Sequence, residues 1–410
     1  MASADAPSNS KRRRSIGRDF RLVWLSVIVS STGDGMFITA FPLLALTLTR
    51  DPVLIAGVTV ASRLPWLLFS MLTGTVADRM DRRRLMIGAD VVRFFIVGAL
   101  GVVIVANMVN IWFLYLCAFL LSTGETFHVN AAQAILPALV ESEDLLQANA
   151  RFGGAQIAST QFIGPPLGAM LFNAATSLPF FADAVSFAGS AMMVSGLPDV
   201  HHVEPPTTRL RDDVLEGLQF VRDNAALRRI TGLLALINFF YFAAISLLVL
   251  YTTQQLHSGK ITYTALFIGA AVGTVLTRFL VTPMSRRFGV KRTLTLAVWL
   301  WAISMSGLAL TPYPLVAVAM FVILGAGTGL WLALNTTVRQ QITPARLRGR
   351  MNAAYRTVSW GVVPFGAAFG GLSAHWFGLR TPFLIAGGVM LTTAAFAPKI
   401  LQPIADAATV

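Results

Sequence analysis

Gly74-Thr75-Val76-Ala77-Asp78-Arg79-Met80-Asp81-Arg82-Arg83-Arg84-Leu85 is a short, densely charged turn between two long apolar segments. A second basic connection, Thr282-Pro283-Met284-Ser285-Arg286-Arg287-Phe288-Gly289-Val290-Lys291-Arg292, follows 208 residues later and again joins two apolar segments. The halves share more than these turns. Asn130 to Pro137, then Asn149 and Arg151, is echoed by Asn335 to Pro344, then Asn352 and Arg356, at offsets of 203 to 207 residues. The chain therefore reads as two related halves.

Composition sets the class. With 55% hydrophobic and 12% charged residues over 410 positions, there are too few charges to cover a soluble globule of this size, so most of the surface faces lipid. Lipid cannot satisfy backbone polar groups, so each crossing must be a helix or part of a closed barrel, and a helix needs about 20 apolar residues to cross. Phe94 to Val105 and Val316 to Leu334 lack the period-two alternation of barrel strands. The expected fold is an all-α membrane protein of twelve transmembrane helices in two pseudo-symmetric six-helix bundles. Spans are expected near 20–48, 53–76, 86–108, 110–137, 146–173, 178–197, 228–255, 261–284, 293–312, 314–342, 347–374 and 381–402. The corresponding division is a basic tail (1–19), an N-terminal bundle (20–197), a linker (198–227), a C-terminal bundle (228–402) and a short tail (403–410). The linker mixes Arg209, Arg211, Asp212, Asp213, Glu216 and Arg222 with Leu215, Leu218, Phe220 and Val221, the pattern of an amphipathic helix lying on a membrane face. Internal symmetry of this kind is typical of secondary transporters, which bind their substrate between repeats near the midplane.

The net charge of +13 follows membrane sidedness, not a nucleic-acid surface. Of 32 Lys and Arg, Arg50, Lys260 and Arg380 fall on one side, Arg63 and Arg278 at membrane depth, and the other 27 on the opposite side. Basic flanks are cytoplasmic, so both termini, the linker and the Gly74 turn are placed inside, in an inner cell membrane. Lys11 to Arg14 resemble the start of a signal peptide, but the apolar segment after them is too long, so it reads as the first span. A single cysteine, Cys117, leaves the redox compartment open. No Gly-x4-Gly-Lys-Ser/Thr loop exists, since Gly259-Lys260 is followed by Ile261, and no nucleophile or cofactor constellation emerges. The chain is read as a monomer and not as an enzyme.

Gly74, Asp78, Arg79, Arg82 and Arg83 match the loop motif of the major facilitator superfamily, with Asp81 in place of its second glycine. Gly164-Pro165-Pro166-Leu167-Gly168 resembles the fifth-helix motif of proton-driven exporters, with Ala169 in place of its last glycine; the fourth helix lacks the superfamily's arginine-bearing motif. Asp51-Pro52, Leu64-Pro65-Trp66, Asp183 to Phe187 and Pro344 to Arg350 are similar to the branch holding enterobactin exporters and macrolide efflux proteins. The resemblance implies proton-coupled efflux of amphipathic small molecules, drug or siderophore in type, by alternating access. An importer, a lipid flippase or a transport-inactive scaffold are the alternatives. It also implies that Asp78 engages the inner end of the eleventh helix, about Arg348 to Asn352, in the outward-facing state.

Between Asp223 and Asp406 the chain has no Asp or Glu, so any proton-carrying carboxylate within the membrane belongs to the N-terminal half. Ionisable residues inside a span are costly and face a cavity or a partner. Asp34, between Gly33 and Gly35, and Arg63 sit near mid-depth as a candidate ion pair, with proton coupling at Asp34 the other reading. Glu125 and His128 share a face of the fourth helix and could exchange a proton, hold a cationic substrate or simply pair. No third ligand has a matching spacing, so no metal is expected. Asp183 is placed in the first turn of the sixth helix, where an acid suits the dipole. In the C-terminal half Asn238, Tyr241, Trp331 and Asn335 are candidate cavity groups for a bulky amphiphile, with interhelical packing as the alternative. Arg278 is near enough to a helix end to snorkel.

Overall fold

In a computed structural model the chain is described over residues 17–141, 143–198, 210–344 and 347–407, with the side chains of 70–72, 74–79, 146, 210–214 and 405–407 outside that description. Among the described residues every regular element is helical. The N-terminal half runs α1 (Arg18–Leu48), α2 (Pro52–Arg79), α3 (Arg82–Val105), α4 (Ile111–Leu139), α5 (145–174) and α6 (Leu178–Ser195). α7 (Leu210–Asp223) lies in the linker. α8 (225–255), α9 (260–288), α10 (290–310), α11 (Pro314–Ile342), α12 (348–377), α13 (Thr381–Ile400) and the short α14 (Gln402–Ala407) complete the chain.

By length and hydropathy eight helices among the described residues qualify as spans, one of them the continuous stretch Lys260–Leu310. At 1.5 Å per residue that stretch would be about 76 Å long, more than twice the hydrocarbon thickness. It folds back at Gly289, whose φ of 80° and ψ of 159° only glycine adopts at low cost, and so makes two crossings. α4, α5 and α12 supply the other three. α5 is interrupted by a π segment, Ala158–Ile163, directly before the Gly164-Pro165-Pro166 run, and α12 by a break at Val362. Twelve spans result.

The basic turns are shorter than the charge pattern suggested. α2 stays helical through Arg79 and α3 starts at Arg82, leaving Met80 and Asp81 as the turn. Asp81 caps α3, its Oδ1 accepting from the Arg83 and Arg84 amides at 2.9 and 3.2 Å. The residue that departs from the superfamily's glycine thus starts the next helix.

The two halves repeat one packing plan. In the first, α1 meets α5, α2 meets α4 and α3 meets α6; in the second, α8 meets α12, α9 meets α11 and α10 meets α13. Glycines mark the closest approaches: a Cβ on Gly164 would lie 2.5 Å from Gly35 Cα, one on Gly370 would lie 1.9 Å from Ala243 O, and one on Gly325 would lie 1.9 Å from Ala270 O. Without a hydrophobic drive between helices in lipid, such small-residue contacts let backbones pack.

The halves meet at the end remote from the basic turns. There Val363–Phe377 of α12 packs on α2, with a Gly371 Cβ position 2.8 Å from Ala56 Cβ. His375 Nδ1 approaches Asp51 Oδ2 at 3.9 Å. Gly164–Ala174 of α5 packs on α9, and the Lys260 ammonium sits 4.7 Å from the Phe172 ring centre.

Candidate functional site

A buried charge cluster fills the N-terminal half between α1, α3, α4 and α6. Its centre is Arg93, 1% exposed. One guanidinium nitrogen pairs with Asp34. Another donates to Ser30 Oγ at 3.2 Å and lies 3.5 Å from Asp90 Oδ1, one turn back on α3. The guanidinium plane also sits 3.9 Å from the Phe187 ring centre, a stacking that compensates part of its lost hydration. On the far side of Asp90, His128 Nδ1 lies 3.0 Å from Oδ1. Asp183, fully buried, accepts from Ser186 Oγ at 2.8 Å and is drawn electrostatically to Arg93.

This arrangement corrects the reading from sequence in four places. The partner of Asp34 is Arg93 of α3, whereas the Arg63 guanidinium lies 6.0 Å from the Phe242 ring centre. Arg93 leaves the tally of residues on the basic flank, because the cation is spent inside the membrane on two acids. Glu125 and His128 do not pair with each other: His128 faces Asp90, while Glu125 Oε2 accepts from Trp66 Nε1 at 3.2 Å. Asp183 is the sixth residue of α6 and a member of the cluster, not a first-turn acid.

Two glycines make the cluster possible. A Cβ on Gly33 would fall 1.5 Å from Asp183 Oδ1, and one on Gly124 would fall 2.6 Å from Arg93 Cγ. Counted as charges, Asp34, Asp90 and Asp183 face one guanidinium and one imidazole. Even with His128 protonated the acids exceed the cations by one, and burial makes an uncompensated charge expensive. Asp183 Oδ2 and His128 Nε2 are buried and make no hydrogen bond among the described residues.

Beside it, where the halves face each other, a second constellation crosses the interface. Arg356 of α12 lies 5.4 Å from the ring centre of Trp66 on α2. Arg63 of α2 points the other way, toward Phe242 on α8. Trp360, one turn after Arg356, is 42% exposed and packs edge-on to Phe242 at 6.2 Å. Arg356 and Trp360 thus present one accessible face to the space between the halves. Glu125 joins the two constellations, since its charge attracts both Arg93 and Arg356.

Other expected residues hold the scaffold. The Arg82 guanidinium donates to Ala134 O at 2.9 Å and that of Arg83 to Ser195 O at 2.6 Å, which ties the turn to the ends of α4 and α6. Of the rest of that motif, Gly74 and the side chains of Asp78 and Arg79 lie outside the description. Gly164, Pro165 and Gly168 seat α5 on α1, where Thr39 Oγ1 donates to Pro165 O at 2.8 Å. Of the cavity candidates, Asn238 donates to Ser359 O at 2.6 Å and Asn335 to the Tyr355 hydroxyl at 2.6 Å, both buried. Trp331 is buried against Trp301 at 5.3 Å. These three pack helices together, and Tyr241 alone stays half-buried.

Residues 16–409 match the family described as transmembrane secretion effectors. Macrolide efflux protein A of Streptococcus pyogenes is 21% identical over 93% of this chain and 95% of its own length. The multidrug efflux pump Tap of Mycolicibacterium fortuitum is 25% identical, over 93% of this chain and 96% of its own. In fold the chain is similar to a bacterial homologue of the lysosomal transporter Spinster, solved in an inward-facing, unoccupied conformation. That TM-score is 0.70 at 15% identity, covering 95% of this chain and 97% of that one. With its twelve spans in two repeated halves and a match along nearly its whole length, the chain belongs to the transmembrane secretion effector family of the major facilitator superfamily.

Proposed function

We propose that this protein exports amphipathic small molecules across the cytoplasmic membrane in exchange for protons, as a monomer, with both termini and the basic turns inside. The observation that carries the reading is the acid-rich cluster around Arg93, buried on one side and coupled through Glu125 to the interface on the other. Efflux itself is supported by the relatives, which are named for macrolide and multidrug efflux.

The mechanism follows from the shared carboxylate. A proton arriving at Asp34, Asp90 or Asp183 relieves the excess of negative charge and frees Glu125 from competition for Arg93. Glu125 is then drawn toward Arg93 and away from Arg356, which changes what the interface can hold. Protonation of the cluster and occupancy of the interface are therefore coupled, the linkage that exchange requires. The division at the linker makes each half a rocking unit. Contact of α12 with α2 and of α5 with α9 at the end remote from the basic turns corresponds to the inward-facing state. In the opposite state Asp78 would meet the α12 N-terminus, a contact worth about 0.3 to 1 kcal/mol at an exposed site. Such increments shift states only a few kcal/mol apart.

Inside-out vesicles carrying the full chain and energised by an imposed pH gradient test the reading with a panel of labelled amphiphiles, macrolides included. At least one should accumulate, and nigericin should abolish the accumulation. Uptake that ignores the gradient, or lipid transfer without solute transport, would replace the exporter by a passive carrier or a flippase.

A further inference from the structure

Resting on that reading, we infer that the substrate is an amphipathic anion: a carboxylate, sulfonate or phosphate group on an aromatic or apolar body. The argument is the charge balance of the interface. Arg63 and Arg356 come from opposite halves, and each lies near an aromatic ring of the other half, Phe242 at 6.0 Å and Trp66 at 5.4 Å. This swapped pair sets two guanidiniums and two rings around one space. A third ring, Trp360, is exposed beside them.

Acid is scarce there. The C-terminal half contributes none, because no Asp or Glu occurs between Asp223 and Asp406. From the N-terminal half Asp34 is spent on Arg93, with 9% of its side chain exposed. Glu125 is the acid beside that space, held by Trp66 Nε1; Asp51, the other acid where the halves meet, lies at their closed end against His375. Two cations against one carboxylate leave a positive excess.

A guanidinium stacked on a ring keeps its edge donors free, and these fit a planar carboxylate or an oxyanion in bidentate fashion. The rings offer faces to an apolar body. A cationic amphiphile would share Glu125 with Trp66 and would face both arginines. An anion would do the opposite, bridging Arg63 and Arg356 and releasing both from their rings. That bridge would draw the halves together, so the occupant's charge is coupled to closure.

An energetic consequence follows. Exchange of one entering proton for one leaving monovalent anion moves two positive charges inward, so the membrane potential drives it as well as the pH gradient. The same exchange with a monovalent cation is electroneutral.

The test compares two probes of one shape, naphthalene-2-sulfonate and trimethyl(2-naphthyl)ammonium, titrated calorimetrically into the purified full chain. The sulfonate should bind at least tenfold tighter. Arg356→Gln and Arg63→Gln should each weaken the sulfonate about tenfold without weakening the ammonium, while Arg356→Lys should recover part of the loss. Because the wild-type comparison needs no variant, a misfolded substitution leaves the test intact. Tighter binding of the ammonium, or equal binding of both, would overturn the inference. Accumulation of the ammonium in energised vesicles would overturn it too while upholding the exporter. Sulfonate preference without gradient-driven transport would uphold the anion site and sink the exporter.

Discussion

Gly33 and Gly124 each stand where a side chain would displace a member of the charge cluster. An alanine Cβ at Gly33 would occupy the place of Asp183 Oδ1, and one at Gly124 would press on Arg93 Cγ. Gly33→Ala and Gly124→Ala should each cost about 1 to 3 kcal/mol, as overpacking does. Gly88→Ala, with nothing within 4 Å of its Cβ position, should be neutral or gain up to about 1 kcal/mol from helix propensity. Thermal unfolding in detergent ranks the three, and a Gly33→Ala variant as stable as Gly88→Ala would contradict the geometry. Asp34, Glu125 and His128 stood out in the sequence because they are ionisable groups within apolar runs. Asp90 and Arg93 were not, because they follow Arg82 to Arg84 within three turns and read as the tail of a basic flank. Their spacing of three, which puts them on one helix face, was the available signal.

Helix boundaries follow backbone chemistry more closely than charge. Arg79 and Arg82 to Arg84 extend α2 and α3 toward each other, and only the Asp81 cap ends the run. At Gly289 a single residue reverses the chain. The exporter-type motif acts at this scale. Pro165 and Pro166 remove amide donors from α5 just after its π segment, and Gly168 lies against α1, its Cβ position 2.4 Å from Met36 O. Gly168→Val should push α5 from α1 and cost about 1 to 3 kcal/mol, read as a lowered Tm together with proton leak into substrate-free proteoliposomes. A wild-type Tm and a tight membrane would remove the motif's sealing role. The linker helix α7 departs from an element lying only on lipid. Glu216 pairs with Arg350 of α12, and a Cβ on Gly217 would fall 2.4 Å from Arg350 O. That ion pair is half-exposed, worth about 0.2 to 1 kcal/mol, so Glu216→Gln should change little. Gly217→Leu should undock α7 and raise its hydrogen exchange at least tenfold, and unchanged protection would mean the docking is not tight.

Twelve crossings in two halves were legible because apolar runs and repeated basic turns are long-range, redundant signals. The partners inside each half were not, since a run of apolar residues does not say which neighbour its small residues meet. Arg356 shows the limit: it stood out as an echo of Arg151, and only the packing of α12 on α2 brings it to Trp66. Orientation rests on the basic excess at one end. Met80→Cys and Met108→Cys, both at exposed positions and made in a Cys117→Ala background, should react with an impermeant thiol reagent from opposite sides of the membrane, Met108→Cys from outside. Labelling from one side would overturn the topology. The central claim is that acids of the N-terminal half couple transport to protons. It is tested most directly by measuring, for an amphiphile that the wild type concentrates, accumulation driven by a pH gradient and exchange without a gradient, side by side in Asp34→Asn and Glu125→Gln. The account predicts that at least one variant loses accumulation by tenfold or more and keeps exchange within about threefold of wild type. Accumulation at the wild-type rate in the double variant would contradict it.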